Sequence, residues 1–227
     1  MDELLLELGL ALGVVLVFLA FVAWLNRLGY RKSVAALGEI GRKYGWRLVA
    51  APSAGSIWTK RGEEEPIFEG TVSQYAHLEG ELGGYRAQLH SIRRRRGRLL
   101  TRITLWRQQQ AAAGAEEGDY IVALPRDLLE QHRPENWDTL QRYQTEIGEV
   151  DGLYEWRCTN VDFARRVLTM EFCALFFRHK GYFRGRFYLS AERAYSEEGA
   201  LIVNPPDVQA AYARVDALMR VARAGWR

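Results

Sequence analysis

The side chains best suited to chemistry are few and dispersed along this chain. Four histidines (His77, His90, His132, His179) and two cysteines (Cys158, Cys173) are its whole stock of imidazoles and thiols. Zinc sites draw on closely spaced ligand pairs, and here there is no CxxC and no paired histidine, so neither metal nor cofactor is expected. Cys173 lies among Phe172, Leu175 and Phe176, an apolar setting that raises a thiol's pKa and makes it a poor nucleophile. The two cysteines are therefore expected to be buried and reduced. Ser190 and Ser196 sit in no GxSxG elbow. The glycine-rich stretch at 80–84, GELGG, lacks the GxxxxGK[ST] pattern of a phosphate loop and reads as a hairpin turn. Glu63, Glu64 and Glu65 stand in a row before Pro66, as solvated surface does. No catalytic constellation can be assembled, and a non-enzymatic protein is expected.

What remains is charge. Arg93, Arg94, Arg95, Arg96 and Arg98 form the most concentrated basic run, with Arg165 and Arg166 a smaller second patch. Near a membrane, basic residues gain about 1 kcal/mol each from anionic headgroups. The same cluster would also suit an acidic partner face, or serve only as a solvated turn. It has no interleaved aromatics and no recognisable nucleic-acid module, and the net charge is only +3, so nucleic acid is not an expected partner.

The element that would position these residues is an apolar run at 8–25, LGLALGVVLVFLAFVAWL, in which the Trp24 indole is the only hydrogen-bonding side chain. About 20 such residues, rising 1.5 Å each, cross a hydrocarbon core of about 30 Å. Residues 1–25 hold Asp2, Glu3 and Glu7 and no Lys or Arg. The 31 basic residues then face the remaining 25 acidic ones, so the rest of the chain carries +6. Arg27, Arg31 and Lys32 follow the run directly. By the positive-inside rule this flank is cytoplasmic and the N-terminus is outside, an order opposite to that of a cleaved signal peptide. The expectation is a single-pass plasma-membrane protein, with residues 1–32 as anchor and basic flank and 33–227 as one cytoplasmic domain. Gly9 and Gly13 have GxxxG spacing, suited to packing against another membrane helix.

Within 33–227 the hydrophobic period switches. Ser33 stands where an N-cap would, ahead of a helix bearing Val34, Leu37, Ile40 and Tyr44 and ending at Gly45. Period-two stretches then predict strands at 67–72, 77–82, 85–92 and 99–107, with Gly83-Gly84 as a two-residue hairpin turn. Residues 120–124, 153–158, 183–189 and 200–203 read as further strands. Helices are expected at 127–132, at 161–168 behind Thr159 or Asn160, at 171–179, and from Asp207 to about 224. In the last, Val208, Ala211, Tyr212, Val215, Leu218, Met219 and Ala222 mark the inner face, and Arg214 is placed outside. The sum is an α+β domain with a mostly antiparallel sheet flanked by helices, behind an N-terminal transmembrane helix.

The anchor with its basic flank, the Tyr44-Gly45-Trp46 helix end, the strand meander, the TNVDFARR stretch at 159–166 and the strand-then-helix ending together resemble a family. It is that of the actinobacterial single-pass membrane proteins typified by the mycobacterial trehalose-monomycolate transport factor A. The resemblance implies a PsbP/Mog1-like fold and an accessory role beside a lipid-exporting transporter of the cell envelope. The expected partners are a larger integral membrane protein, as the resemblance implies, and, from the arginine run, anionic lipid headgroups. A membrane-tethered domain that binds a lipid or other small apolar ligand is the alternative.

Overall fold

One uninterrupted helix, α1 (Asp2–Tyr44), carries the chain from its acidic N-terminus into the folded domain. The computed structural model describes residues 2–50, 76–93, 99–107, 118–133, 137–199, 202 and 204–227. Ser33 starts no new helix and lies inside this one. Residues 26–33 contain no proline, and ending one helix and opening another there would orphan several backbone groups. Serine inside a helix costs only about half a kcal/mol against alanine by comparison. The expected boundary at 32/33 therefore falls within a continuous rod. At the other end, Gly45 takes the left-handed conformation (φ 68°) and the Trp46 amide donates to the Gly41 carbonyl at 2.8 Å, closing the helix with a Schellman-type bond.

Strands β1 (Arg47–Ala50), β2 (Ala76–Leu82), β3 (Tyr85–Arg93) and β4 (Leu99–Arg107) come next, then β5 (Tyr120–Pro125). After the short α2 (Leu129–His132) come β6 (Gln141–Tyr143), α3 (Gly148–Leu153) and β7 (Tyr154–Cys158). The chain ends with α4 (Val161–Val167), α5 (Met170–Arg178), β8 (Phe187–Ser190), β9 (Arg193–Glu198) and α6 (Pro205–Gly225). The described strands make one nine-stranded sheet, ordered β1-β2-β3-β4-β9-β8-β5-β7-β6. Every neighbouring pair is antiparallel.

Gly83 and Gly84, at φ 57° and 87°, turn β2 into β3 as a two-residue hairpin demands. Asn160 caps α4, its side-chain oxygen accepting from the Asp162 and Phe163 amides. Thr159 instead ties β7 to β5, accepting from the Tyr120 amide at 3.0 Å. Helix α6 opens at Pro205, two residues ahead of the expected Asp207, and the Asp207 carboxylate accepts from the Asn204 amide at 2.9 Å in the manner of a capping box. Several readings need correction. Leu153 belongs to α3, not to the strand that follows. The strand expected from Phe183 begins only at Phe187, after a 3-10 turn at Lys180–Tyr182. Strand β6 was not expected. Strand β9 was not expected either, and the strand placed at 200–203 falls mostly outside the described residues, as does the one at 67–72.

The helices cover one face of the sheet. Leu37 and Ile40 of α1, Leu78, Leu89, Ile103 and Leu105 of the sheet, and Val215 and Leu218 of α6 meet there in a single core. Trp156, Phe172, Phe176, Phe183 and Phe187 continue it under α5, with Phe176 and Phe183 stacked at 4.8 Å. Both cysteines are buried and free, as expected.

Trp46 locks α1 to this core. Its indole N–H donates to the Glu81 carbonyl at 3.0 Å, its ring stacks on Tyr44 at 5.0 Å, and its face lies against Gly80 of β2. A Cβ on Gly80 would collide with that indole. Gly80→Ala should therefore lower the unfolding free energy by about 1–3 kcal/mol, the usual cost of overpacking, and red-shift tryptophan emission. Equilibrium denaturation followed by fluorescence reads both effects.

Candidate membrane and partner interface

The sheet has two ends, and the helices fix which is which. Arg223, near the end of α6, donates to the Gly83 carbonyl at 3.0 Å, and the Trp226 ring lies 5.0 Å from that of Tyr85. The C-terminus of α6 thus sits at the β2–β3 turn. Nine residues before Arg223, Arg214 pairs with Glu198, which stands opposite Thr101 near the start of β4. The N-terminus of α6 therefore points to the opposite end of the sheet, where β3 ends and β4 begins, Arg93 being paired with Leu99.

Helix α1 runs alongside α6 in the same direction. The Tyr212 hydroxyl donates to the Glu39 carbonyl at 3.4 Å, and the Tyr44 hydroxyl to Asp216 at 3.2 Å, so both helices advance together. Burial and the Asp216 carboxylate push the Tyr44 phenol well above its usual pKa, which keeps it a donor. Followed toward its N-terminus, α1 leaves the domain at the β3–β4 end.

Beyond the domain α1 is bare. The large apolar side chains from Leu12 to Leu25 are exposed, Val17 at 71% and Phe18 at 63%. Among the described residues no helix is long and apolar enough to cross a membrane. Apolar residues exposed all round a helix are characteristic of a segment covered by lipid or by other helices. Nothing lies within 4 Å of where a Cβ on Gly13 would be; Gly9 lies in the same helix, ahead of the described side chains. Arg27, Arg31 and Lys32 are exposed just after the apolar stretch.

The two arginine patches do not come together. Arg93 closes β3 at the end from which α1 emerges, while Arg94, Arg95, Arg96 and Arg98 lie outside the described residues. Arg165 and Arg166 are on α4, whose Val167 neighbours Gly225 at the end of α6, and so belong to the opposite end of the domain. Both are exposed, and Arg165 pairs with Asp162 one turn earlier at 3.0 Å. Exposed i,i+3 pairs of this kind contribute little to stability.

A polar layer on the second face of the sheet had no reading in the sequence. Glu197 of β9 is nearly inaccessible (3%) and accepts from Arg102 of β4, Nη2 at 2.6 Å and Nε at 3.0 Å, while the Arg186 guanidinium lies 3.5 Å away. Arg102 also stands 4.5 Å over the Tyr195 ring, which stacks on Tyr188 at 4.7 Å. Strand alternation was the available signal, since Arg102 and His90 share a face opposite the apolar one. Their charge made that face look solvated.

Neither His90 on this face nor the two thiols elsewhere is tuned for proton transfer near neutrality. Burial, reinforced by the Arg102 charge, lowers His90 to a pKa of about 3. Burial raises Cys173 to about 12 and moves Cys158 in the same direction. No group of three or more metal-ligating side chains gathers among the described residues. His90 does set a pH dependence of stability. Its folded-state pKa lies below its unfolded value of 6.5, so the unfolded chain takes up a proton the native state refuses as pH falls below 6.5. Between pH 6.5 and 5 this should erode stability with a slope of up to about 1.4 kcal/mol per pH unit. Denaturation at pH 7 and pH 5 should show the loss, and His90→Gln should reduce it.

No family model matches the chain, and no curated protein matches it. A solved structure does: the crystal structure of the mycobacterial trehalose monomycolate transport factor A, TtfA, is similar with a TM-score of 0.55 at 16% identity. The match covers 87% of this chain and 91% of that one. At this identity the likeness is one of fold.

Proposed function

We propose that this protein is a non-enzymatic, membrane-anchored accessory subunit of a larger membrane assembly, in which α1 is both anchor and docking helix. The observation that carries this reading is the exposed apolar stretch from Leu12 to Leu25, continuous with a helix whose C-terminal turns are locked into the domain core. Leaving so many large side chains in water is unfavourable by about 25 cal/mol per Å², which lipid or a partner helix would relieve. The charge order around the run supports an N-out, C-in orientation with a cytoplasmic domain. The fold likeness to a lipid transport factor supports a role beside a cell-envelope lipid transporter. In such an assembly Gly9 and Gly13 would let a partner helix approach closely, and the two arginine patches would meet lipid or protein.

The full chain, extracted from native membranes in mild detergent at native expression, should elute with a larger integral membrane protein. Gly9→Leu with Gly13→Leu should cut recovery of that protein by about tenfold, equivalent to about 1.4 kcal/mol of lost packing, without changing the domain's thermal unfolding. Recovery of the wild-type chain only as an isolated monomer would contradict the reading.

A further inference from the structure

From the helix continuity and the placement of charge, we infer that the β3–β4 end of the domain is an anionic-lipid contact surface, held against the headgroups by α1 without any flexible linker. This rests on the anchoring reading and adds to it the face of the domain that meets the bilayer and the lipid class it selects.

Three observations converge. The first is direction: α1 leaves the domain beside the strand ends at Arg93 and Leu99, not beside the Gly83–Gly84 turn. The second is length. Arg27 to Lys32 spans about 8 Å of helix at 1.5 Å per residue, which matches one headgroup layer, about 5–8 Å on each side of the hydrocarbon. Ala36, the first buried residue of α1 among those described, comes only four residues, about 6 Å, later. The domain's near end thus begins where the headgroups stop. The third is charge. From residue 26 to residue 38 the sequence holds Arg27, Arg31 and Lys32 and no acidic residue, the first being Glu39. Glu198, the nearest carboxylate described on β9, is committed to Arg214. A basic collar on a rigid post, in the plane of the headgroups, attracts anionic lipids at about 1 kcal/mol per residue.

The test uses two labelled forms of the full chain in nanodiscs containing zwitterionic and anionic lipids. Gly199→Cys lies beside Glu198 at the near end, exposed and with nothing within 4 Å of its Cβ position. Arg165→Cys lies at the far end. Both native cysteines are buried, so a thiol-reactive fluorophore goes to the introduced site. Quenching is read with a nitroxide on the headgroup of either an anionic or a zwitterionic lipid. Gly199→Cys should be quenched strongly and Arg165→Cys weakly. At Gly199→Cys the anionic lipid should quench about threefold more than the zwitterionic one, with the excess lost in high salt. The excess should also vanish in the variant Arg27→Gln, Arg31→Gln, Lys32→Gln.

Equal quenching by the two lipids at Gly199→Cys would overturn the charge selection. Quenching at Arg165→Cys as strong as at Gly199→Cys would overturn the assigned face. Either result leaves anchoring intact, whereas a chain that does not float with vesicles would overturn anchoring itself.

Discussion

Everything in this molecule hangs on the continuity of α1. A helix that runs without a break from residue 2 to residue 44 transmits the position of one end to the other. Its last turns are not simply laid on the sheet. Leu37 and Ile40 enter the core, the Tyr44 hydroxyl reaches Asp216, and the Trp46 indole closes over Gly80 while holding the Glu81 carbonyl. The Lys43 ammonium lies 3.6 Å from the centre of the Tyr212 ring, adding a cation–π contact on the same seam. A flexible tether would leave the domain free to tumble beneath whatever holds its N-terminus. A rod locked in this way fixes which end of the domain faces that site.

The sheet supplies the rigidity that makes such a lock useful. Its helix-covered face is packed with aliphatic and aromatic side chains. Its second face holds a buried charge layer around Glu197, Arg102 and Arg186. Burying a carboxylate and two guanidinium groups costs several kcal/mol of solvation per ion, which good geometry offsets only in part. Such a layer therefore adds little net stability. Its effect is to fix register: sliding β9 past β4 by one residue would turn Glu197 toward the apolar face and strand Arg102. The same layer explains why His90 stays neutral, since a second positive charge beside Arg102 in a dry setting is unfavourable.

Much of this architecture was legible where the local signal and the tertiary demand agree. The Gly83–Gly84 hairpin, β4, the Asn160 cap and the start of α6 at Asn204-Pro205-Pro206-Asp207 all follow from turn chemistry and period. The misses share a cause. Strand β9, RAYSEE, looks polar because Arg193, Tyr195 and Glu197 find their partners on the second face from strands distant in sequence. Arg214 was placed outside for its charge, although its spacing from Ala211 and Leu218 puts it on the buried stripe; Glu198 makes that burial tolerable. Ser33 reads as a cap only if the helix is assumed to begin there. Of the candidate interface, the apolar run, its basic flank and the arginines were all visible. That Arg93 and Arg165 stand at opposite ends of the domain was not, because it depends on how α1 and α6 align across the sheet.

The central claim is mechanical: the exposed apolar part of α1 and the domain move as one body. It is tested most directly by the distance between spin labels at Phe18→Cys on α1 and Arg165→Cys on α4, in the full chain reconstituted in lipid. A single narrow distance distribution, unchanged between lipid compositions, is the predicted result. A broad or multiple distribution would show a hinge between the two and contradict the account.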